Sequence, residues 1–459
     1  MTIGIDDMAL YVPKLFLDIR ALAEKREIPY DKLSRGLGLY KMAICDVHED
    51  AATMAAEAIV ELIERNNLDP RQIGRVYLGT ESALDGAKPT ATYAVQMAQK
   101  RLEKQWGADC FRHCDVLDMT FACIGAVDAL QISLDWVAAD QRNIGIVVAS
   151  DIAKYELHST GEYTQGAGAV AMLVKAQPRL LAVQRTFGVA MESVHDFYKP
   201  RREQYCETPI FDGQFSNQCY QNRMSEALID FRKRATQDGV MQTGQFPALS
   251  ERWARMIFHL PYSFHAKRMF VEQFVEERTQ KGFWEKDAAK YKLLSPENTP
   301  SQDPKTQEKA RSAFLKSVSE SDLYKKFVAE KLEKAQRASQ ETGNLYTASI
   351  FLALMSTLEC DLAENTALDK KRFGFIAYGS GSKAKVFEAT VQKGWENVVR
   401  HFKVFEKITE RQPISYDQYE ALHKGTQKTT VVAQKGRWAL DHIGQEGVTL
   451  GARYYEMQG

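Results

Sequence analysis

The chain has 459 residues, 44% of them hydrophobic and 26% charged, a composition that excludes a disordered or low-complexity protein. Lys+Arg and Asp+Glu both number 60, so no net field recruits nucleic acid or an anionic membrane. The length leaves room for roughly two to four domains with large cores.

In chain order, "IGIDDMALYVP" reads as a strand stopped by a proline, and nothing in "MTIGIDDMALYVPK" resembles a secretory leader. "EDAATMAAEAIVELIERNN" predicts an Ala/Glu-rich helix, "IGRVYLGT" a buried strand and "TATYAVQMAQKRLEKQW" a second helix. In "VLDMTFACIGAVDALQISLDWV", positions 116–137, Val116, Leu117, Met119 and Phe121 predict a short buried strand. From Cys123 the period changes. Cys123, Val127, Leu130, Leu134 and Val137 recur at spacings of four and three, one face of a helix. "NIGIVVAS" and "AGAVAMLVKA" are β-rich apolar runs between glycines. The pattern loosens from about 185 to 250, where "DFYKP" and "PIFDGQFSNQCY" read as loop and ordered turns, before the strand-like "RMIFHLPY". Residues 266–340 are highly charged around the polar breaker "SPENTPSQDPKTQEK" and read as helical excursions about an exposed loop, outside the core. The helix "NLYTASIFLALMSTL" and the strand-to-turn "FGFIAYGSGSK" follow. The alternation predicts an α/β architecture with largely buried sheets. No stretch reads as a membrane span. The seven cysteines, odd in number and irregularly spaced, predict a reduced, cytoplasmic protein without a disulfide framework.

Cys123 stands where strand gives way to helix. Free cysteine is usually core filler, but the N–H groups and dipole at a helix N-terminus stabilise a thiolate and lower its pKa. The small Gly125 and Ala126 let a substrate approach backbone N–H groups that can hold an oxyanion. Glu81 ends a strand and so points off a sheet edge, where a solvated loop acid is the plainer reading. His259 follows the apolar "RMIF", where a hydrogen-bonded core histidine is the plainer reading. "CFRHC" at 110–114 lacks a second Cys/His pair, so no metal site is expected. "YGSGSK" lacks the spacing of a phosphate loop and reads as a tight turn delivering Ser380 or its backbone to a pocket.

Taken together, "GLGLYKMAICDVHED", "LGTES", "TFACIGA", "SDIAKY", "TQGAGAVAML", "HDFYKP", "FDGQFSNQCY", "IFHLPY", "GNLYTAS" and "YGSGSKAKVFE" resemble, in order and over nearly the whole chain, the 3-hydroxy-3-methylglutaryl-CoA synthase family. The resemblance implies a thiolase-like fold, two similar α/β halves in a five-layer αβαβα arrangement, acting as a homodimer. The halves are expected at 1–178, with Glu81 and Cys123, and 179–459, with His259, Asn344 and Ser380. It implies Cys123 as nucleophile, Glu81 as acid–base and His259 as the group polarising the acetoacetyl ketone. It also implies Tyr155 at the acetyl site, and Asn344 and Ser380 against the acyl group of the second substrate. Many relatives carry a lysine three residues after the proline of "FHxPY"; Phe264 stands there, and Lys267 is expected to serve the CoA phosphates with Arg268.

The implied activity is that of an acyltransferase of the mevalonate pathway, condensing acetyl-CoA with acetoacetyl-CoA and needing no cofactor, metal, nucleic acid or membrane. The thiol takes the acetyl group, a base removes a methyl proton, the enolate attacks the ketone, and water releases the product. A carrier-protein-dependent β-branching synthase of polyketide assembly is the nearest alternative, and its relatives also lack the lysine. A decarboxylating ketoacyl-synthase III-like enzyme has no need of Glu81. An inactive thiolase-like binding or scaffold protein has no need of Cys123, Glu81 and His259 together.

Overall fold

The structure, a computed structural model, describes residues 2–200, 207–242, 246–293 and 303–459. Ten strands form one sheet: β1 (Ile3–Tyr11), β2 (Ile73–Gly79), β3 (Asp115–Met119), β4 (Ile144–Ala153), β5 (Gly166–Ala176), β6 (Leu181–Val183), β7 (Gly188–Met191), β8 (Arg255–Phe258), β9 (Arg372–Gly379) and β10 (Lys383–Val391). Their order is β8-β9-β10-β6-β1-β5-β4-β2-β3, with β7 also pairing to β10. The parallel pairs are β2 with β3, β2 with β4 and β8 with β9; the other pairs are antiparallel. The strand before Cys123 is not a buried one, as its apolar residues predict: β3 closes the sheet's end and is only half-buried.

Alternation along the strands decides which side chains meet which helices. Ile146 and Val148 of β4 and Val76 and Leu78 of β2 pack with the helices α1 (Ala51–Asn66) and α2 (Thr90–Trp106). The intervening Val147, Ala149 and Tyr77 face the opposite core, which holds α3 (Gly125–Ala139), α4 (Gly213–Gln237) and α5 (Ser349–Ala363). The layers follow as α1 with α2, the first part of the sheet, α3 with α5, the second part, and α4. This is the expected thiolase-like α/β arrangement. Asp50 starts α1 by accepting the N–H groups of Ala52 and Thr53, both at 2.9 Å, in a capping box closed by the Thr53 hydroxyl.

The structure departs from sequence expectation in three further places. "FDGQFSNQCY" is not a set of turns: Asp212 caps α4 through the N–H groups of Gln214 and Phe215, and Cys219, Tyr220, Met224, Leu228 and Phe231 bury one face. Nor does the charged 266–340 stretch lie outside the core. Its helices Val271–Gln280, Pro304–Glu320 and Asp322–Lys331 send Phe274, Phe314, Val318, Tyr324 and Phe327 into the main cluster. The breaker there falls partly outside the described residues, and from Pro304 it is already helix, capped by Asp303. Lastly, 122–139 is long and apolar enough to cross a membrane by composition, but 61% of it is buried inside the protein as the core helix α3.

Candidate active site

Two strand ends and one turn converge. At the end of β2, a Cβ on Gly79 would lie 2.1 Å from the backbone nitrogen of Ala126, so only glycine lets this strand touch the start of α3. That approach carries Glu81 to Cys123. At the end of β9, a Cβ on Gly379 would lie 2.7 Å from both the Phe121 oxygen and Cγ2 of Ile124, so the Ser380 turn rests on the other side of the nucleophile turn. Between Phe121 and Ile124, Ala122 has φ of 37°, the left-handed region a residue with a side chain rarely adopts.

The Cys123 thiol donates to Oε1 of Glu81 at 2.7 Å. Cys123 as a residue is partly exposed, but its sulfur lies in the interior against Tyr155, Tyr346, Phe197 and Phe211. Burial first, and then the Glu81 charge, push the thiol pKa well above its ordinary value. The expectation of a depressed, helix-stabilised thiol therefore does not hold. The helix dipole is outweighed by desolvation and by a carboxylate at hydrogen-bond distance. Glu81 is 6% exposed, and its pKa is pushed up to about 7, chiefly by burial; Asp151 raises it further, while Lys199 and the thiol hydrogen bond act against the rise. A carboxyl group poised near neutrality can both take and return a proton.

Asp151 holds this corner. Fully buried in β4, it accepts the Glu81 N–H at 2.7 Å, the Thr80 hydroxyl at 2.9 Å and the Ser82 hydroxyl at 3.0 Å on one oxygen. Its other oxygen accepts the N–H of Thr347 at 3.0 Å and its hydroxyl at 2.5 Å. Lys199 donates to the Glu81 carbonyl at 3.2 Å and stands 5.0 Å from the centre of the Tyr346 ring. Sequence reasoning missed both roles. The available signal was an aspartate inside the apolar run "GIVVASDIA", where an unpaired charge does not survive.

Asn344 is buried, its Oδ1 accepting from the N–H of Tyr346 at 2.8 Å and the Ser349 hydroxyl at 2.9 Å, so it shapes the turn carrying Tyr346. Tyr155 packs edge-on to Phe211, with ring centres 5.2 Å apart, and to Tyr346 at 6.2 Å. Ser380 hydrogen-bonds Tyr378, whose hydroxyl donates to the buried Asp196 at 2.7 Å. His259 immediately follows β8, its N–H on the Ile376 carbonyl at 3.0 Å, and burial lowers the pKa of its imidazole to about 3, so the ring is neutral. Tyr220 donates to the His259 carbonyl at 3.1 Å and lies against Tyr378, ring centres 4.6 Å apart, which ties the histidine to the Ser380 turn. Cys123, Glu81 and Tyr155 are thus brought together at one cluster, and Asn344 joins it through Tyr346, whereas His259 and Ser380 are tied to each other through Tyr220 and Tyr378. Lys267 stands apart. Its ammonium lies 3.2 Å from the centre of the Phe264 ring, while Arg268 donates to the Gly36 carbonyl at 2.7 Å. Among the described residues no cluster of His, Cys, Asp and Glu could hold a metal ion.

Glu81 also lines a cavity of about 1310 Å³ that it shares with Lys88, Lys154, Lys199, His423 and Arg453.

Residues 1–178 match the family model described as hydroxymethylglutaryl-coenzyme A synthase N terminal, and residues 182–436 match its C-terminal counterpart. The chain belongs to the hydroxymethylglutaryl-CoA synthase family. A hydroxymethylglutaryl-CoA synthase of Haloferax volcanii is 32% identical over 92% of this chain and 91% of its own length. One from Enterococcus faecalis is 29% identical over 94% of each. Among solved structures, MvaS in complex with 3-hydroxy-3-methylglutaryl coenzyme A is 28% identical, with a TM-score of 0.81 over 100% of this chain and 99% of that one. Like other members of the hydroxymethylglutaryl-CoA synthase family, the chain is an acyl-transferring condensing enzyme.

Proposed function

We propose that the protein is a hydroxymethylglutaryl-CoA synthase that joins acetyl-CoA, acetoacetyl-CoA and water to give 3-hydroxy-3-methylglutaryl-CoA and CoA, the mevalonate-pathway reaction. The observation that carries this reading is the Cys123 thiol donating to Glu81 at 2.7 Å. In the first step Cys123 attacks the acetyl thioester, its proton passes to Glu81, and the proton leaves with the CoA thiol. The Glu81 carboxylate next removes a proton from the methyl group of the acetyl-enzyme, and the resulting enolate carbon attacks the ketone of acetoacetyl-CoA. His259, neutral because it is buried, donates a hydrogen bond to the oxygen that gains charge, and the proton that Glu81 took from the methyl group passes to that oxygen to leave the 3-hydroxyl. Tyr155 walls the acetyl side, Asn344 and Ser380 the acceptor side. Water entering beside Glu81 cleaves the product thioester and restores the thiol. No cofactor is needed, because acyl transfer, aldol-type addition and hydrolysis require no outside oxidant or reductant.

Lys267 is assigned to the CoA phosphates on the strength of its cationic head beside Arg268. Two copies are proposed to associate along β3, whose outer edge pairs with no strand among the described residues and bears the half-buried Leu117 and Met119. Light scattering of the full-length protein tests this, with a dimer as the expected mass. A cytoplasmic location fits relatives such as the human hydroxymethylglutaryl-CoA synthase named as cytoplasmic.

The test is mass spectrometry of the intact protein after exposure to acetyl-CoA alone: one acetyl group per chain is expected, and its release on adding acetoacetyl-CoA. An enzyme labelled only by an acetylated carrier protein, and never by acetyl-CoA, overturns the choice of donor.

A further inference from the structure

Asp128 lies in the first turn of α3, five residues beyond Cys123, and is 8% exposed. Two lysines of β10 converge on it: Lys383 Nζ stands 2.7 Å from Oδ2 and Lys385 Nζ 2.6 Å from Oδ1. Lys385 also donates to Oε1 of Gln131, one turn further along the same helix, at 2.6 Å. All three charged side chains are largely buried, at 11–16% exposure.

The cluster has a place as well as a composition. Lys383 pairs with Gly379 across the β9–β10 hairpin, so it stands at the neck of the turn that carries Ser380. Its ammonium also lies 4.0 Å from the centre of the Phe121 ring, two residues before the nucleophile. One lysine therefore touches both sides of the site: the Ser380 turn by covalent connection, and the Cys123 turn through Phe121 and Asp128. Between these contacts sits Ala122 in its left-handed conformation, which persists only where the surroundings hold it. A buried ion cluster of this kind stabilises a fold little, compared with apolar side chains of the same size.

Resting on the reading of Cys123 as acetyl acceptor, we propose that Asp128, Lys383 and Lys385 form a positioning clamp that sets the Cys123 turn against the Ser380 turn for acyl transfer. None of the three touches the reacting atoms. Their effect is on the alignment of the thioester between the sulfur and the backbone around it. A displacement of about 1 Å there costs up to about 100-fold in rate.

The experiment compares three quantities in the full-length protein: the single-turnover rate of Cys123 acetylation at saturating acetyl-CoA, the acetyl-CoA concentration that half-saturates it, and the rate at which iodoacetamide alkylates the same thiol. Alkylation needs a reactive thiol but no aligned carbonyl. In Asp128→Asn, acetylation is expected to slow about 10–100-fold, with half-saturation and alkylation unchanged. Lys383→Met is expected to act in the same direction, and the double variant to be no slower than Asp128→Asn alone, because the groups work as one unit. Acetylation of Asp128→Asn at the wild-type rate overturns the proposal. So does a parallel fall of acetylation, alkylation and thermal midpoint, which marks a merely structural cluster. Should Asp128→Asn fail to fold, Lys383→Met decides by the same criteria. Wild-type protein that takes no acetyl group strikes instead at the role of Cys123.

Discussion

Cys123 and Glu81 are 42 residues apart in sequence, yet the thiol of one donates to the carboxyl oxygen of the other at 2.7 Å. Each alters the other's acidity: the carboxylate helps hold the proton on the sulfur, and the thiol hydrogen bond draws the carboxyl group down from the value burial imposes. The resting site is a protonated thiol beside a carboxyl group balanced near neutral pH.

Cys123→Ser should abolish acetylation by acetyl-CoA while leaving the fold intact. A hydroxyl is a poorer nucleophile than a thiol, and Glu81, near 7, is too weak a base to ionise it. Intact mass and peptide mapping check this. Retained labelling and turnover in the serine variant would refute the assignment.

Glu81→Ala should acetylate yet fail to condense. The substitution removes the proton acceptor, but it also removes the charge that keeps the thiol protonated, and these two changes oppose each other. Nothing replaces the base for the methyl proton, so condensation should fall roughly 10²–10⁴-fold. In the wild type, the condensation rate of preformed acetyl-enzyme should rise with pH as the Glu81 carboxylate forms, at a pH above the free enzyme's value of about 7 because acetylation removes the thiol hydrogen bond that lowers it. A flat profile over that range removes Glu81 as the base.

Glu81→Gln should be more stable than the wild type above neutral pH. With a folded pKa of about 7 against an ordinary 4.5, the folded state binds more protons between those values, so ionising Glu81 weakens the fold as pH rises through that window. The cost levels off above the window at about 3 kcal/mol. Glutamine does not titrate. Its thermal midpoint should exceed that of the wild type at about pH 8 and converge with it near about pH 4. Equal midpoints at both values mean the carboxyl group is not strained by burial.

His259→Ala should spare acetylation of Cys123 and damage use of acetoacetyl-CoA. Apparent affinity should weaken by an amount matching one lost hydrogen bond, about 0.5–1.5 kcal/mol. Condensation should slow further, since the alkoxide gains charge only in the transition state. A neutral imidazole also predicts that no protonation of His259 appears in the pH profile between about 5 and 8. A destabilised variant that no longer acetylates sinks the catalytic reading and leaves a packing residue.

The local signals were dependable where structure is locally caused. The change of period at Cys123 marked a strand and a helix, and the structure has them at Asp115–Met119 and Gly125–Ala139. The long helix at 213–237 escaped notice because its first two turns, "GQFSNQCY", are polar and open on a glycine. Its reason for being helical, the Asp212 cap and a face buried against the sheet, includes a partner far along the chain. The charged 266–340 stretch misled for a similar reason. A few aromatics, Phe270, Phe274 and Phe327, anchor it among many lysines and glutamates that stay in water.

By itself the sequence determined the alternation of strands and helices, the nucleophile's place at a strand–helix junction, and the motifs that mark the family. All of these rest on neighbours a few residues apart, whose side chains share a face by the geometry of one element. Only the tertiary structure decided that Glu81 meets the thiol, that the thiol is raised instead of depressed, that Asp151 holds the Glu81 strand end against the Thr347 turn, and that Asp128 answers to two lysines some 255 residues on. Those outcomes depend on desolvation and on charges brought within a few ångströms by packing. Both are sums over everything that surrounds a group, and a linear pattern carries neither.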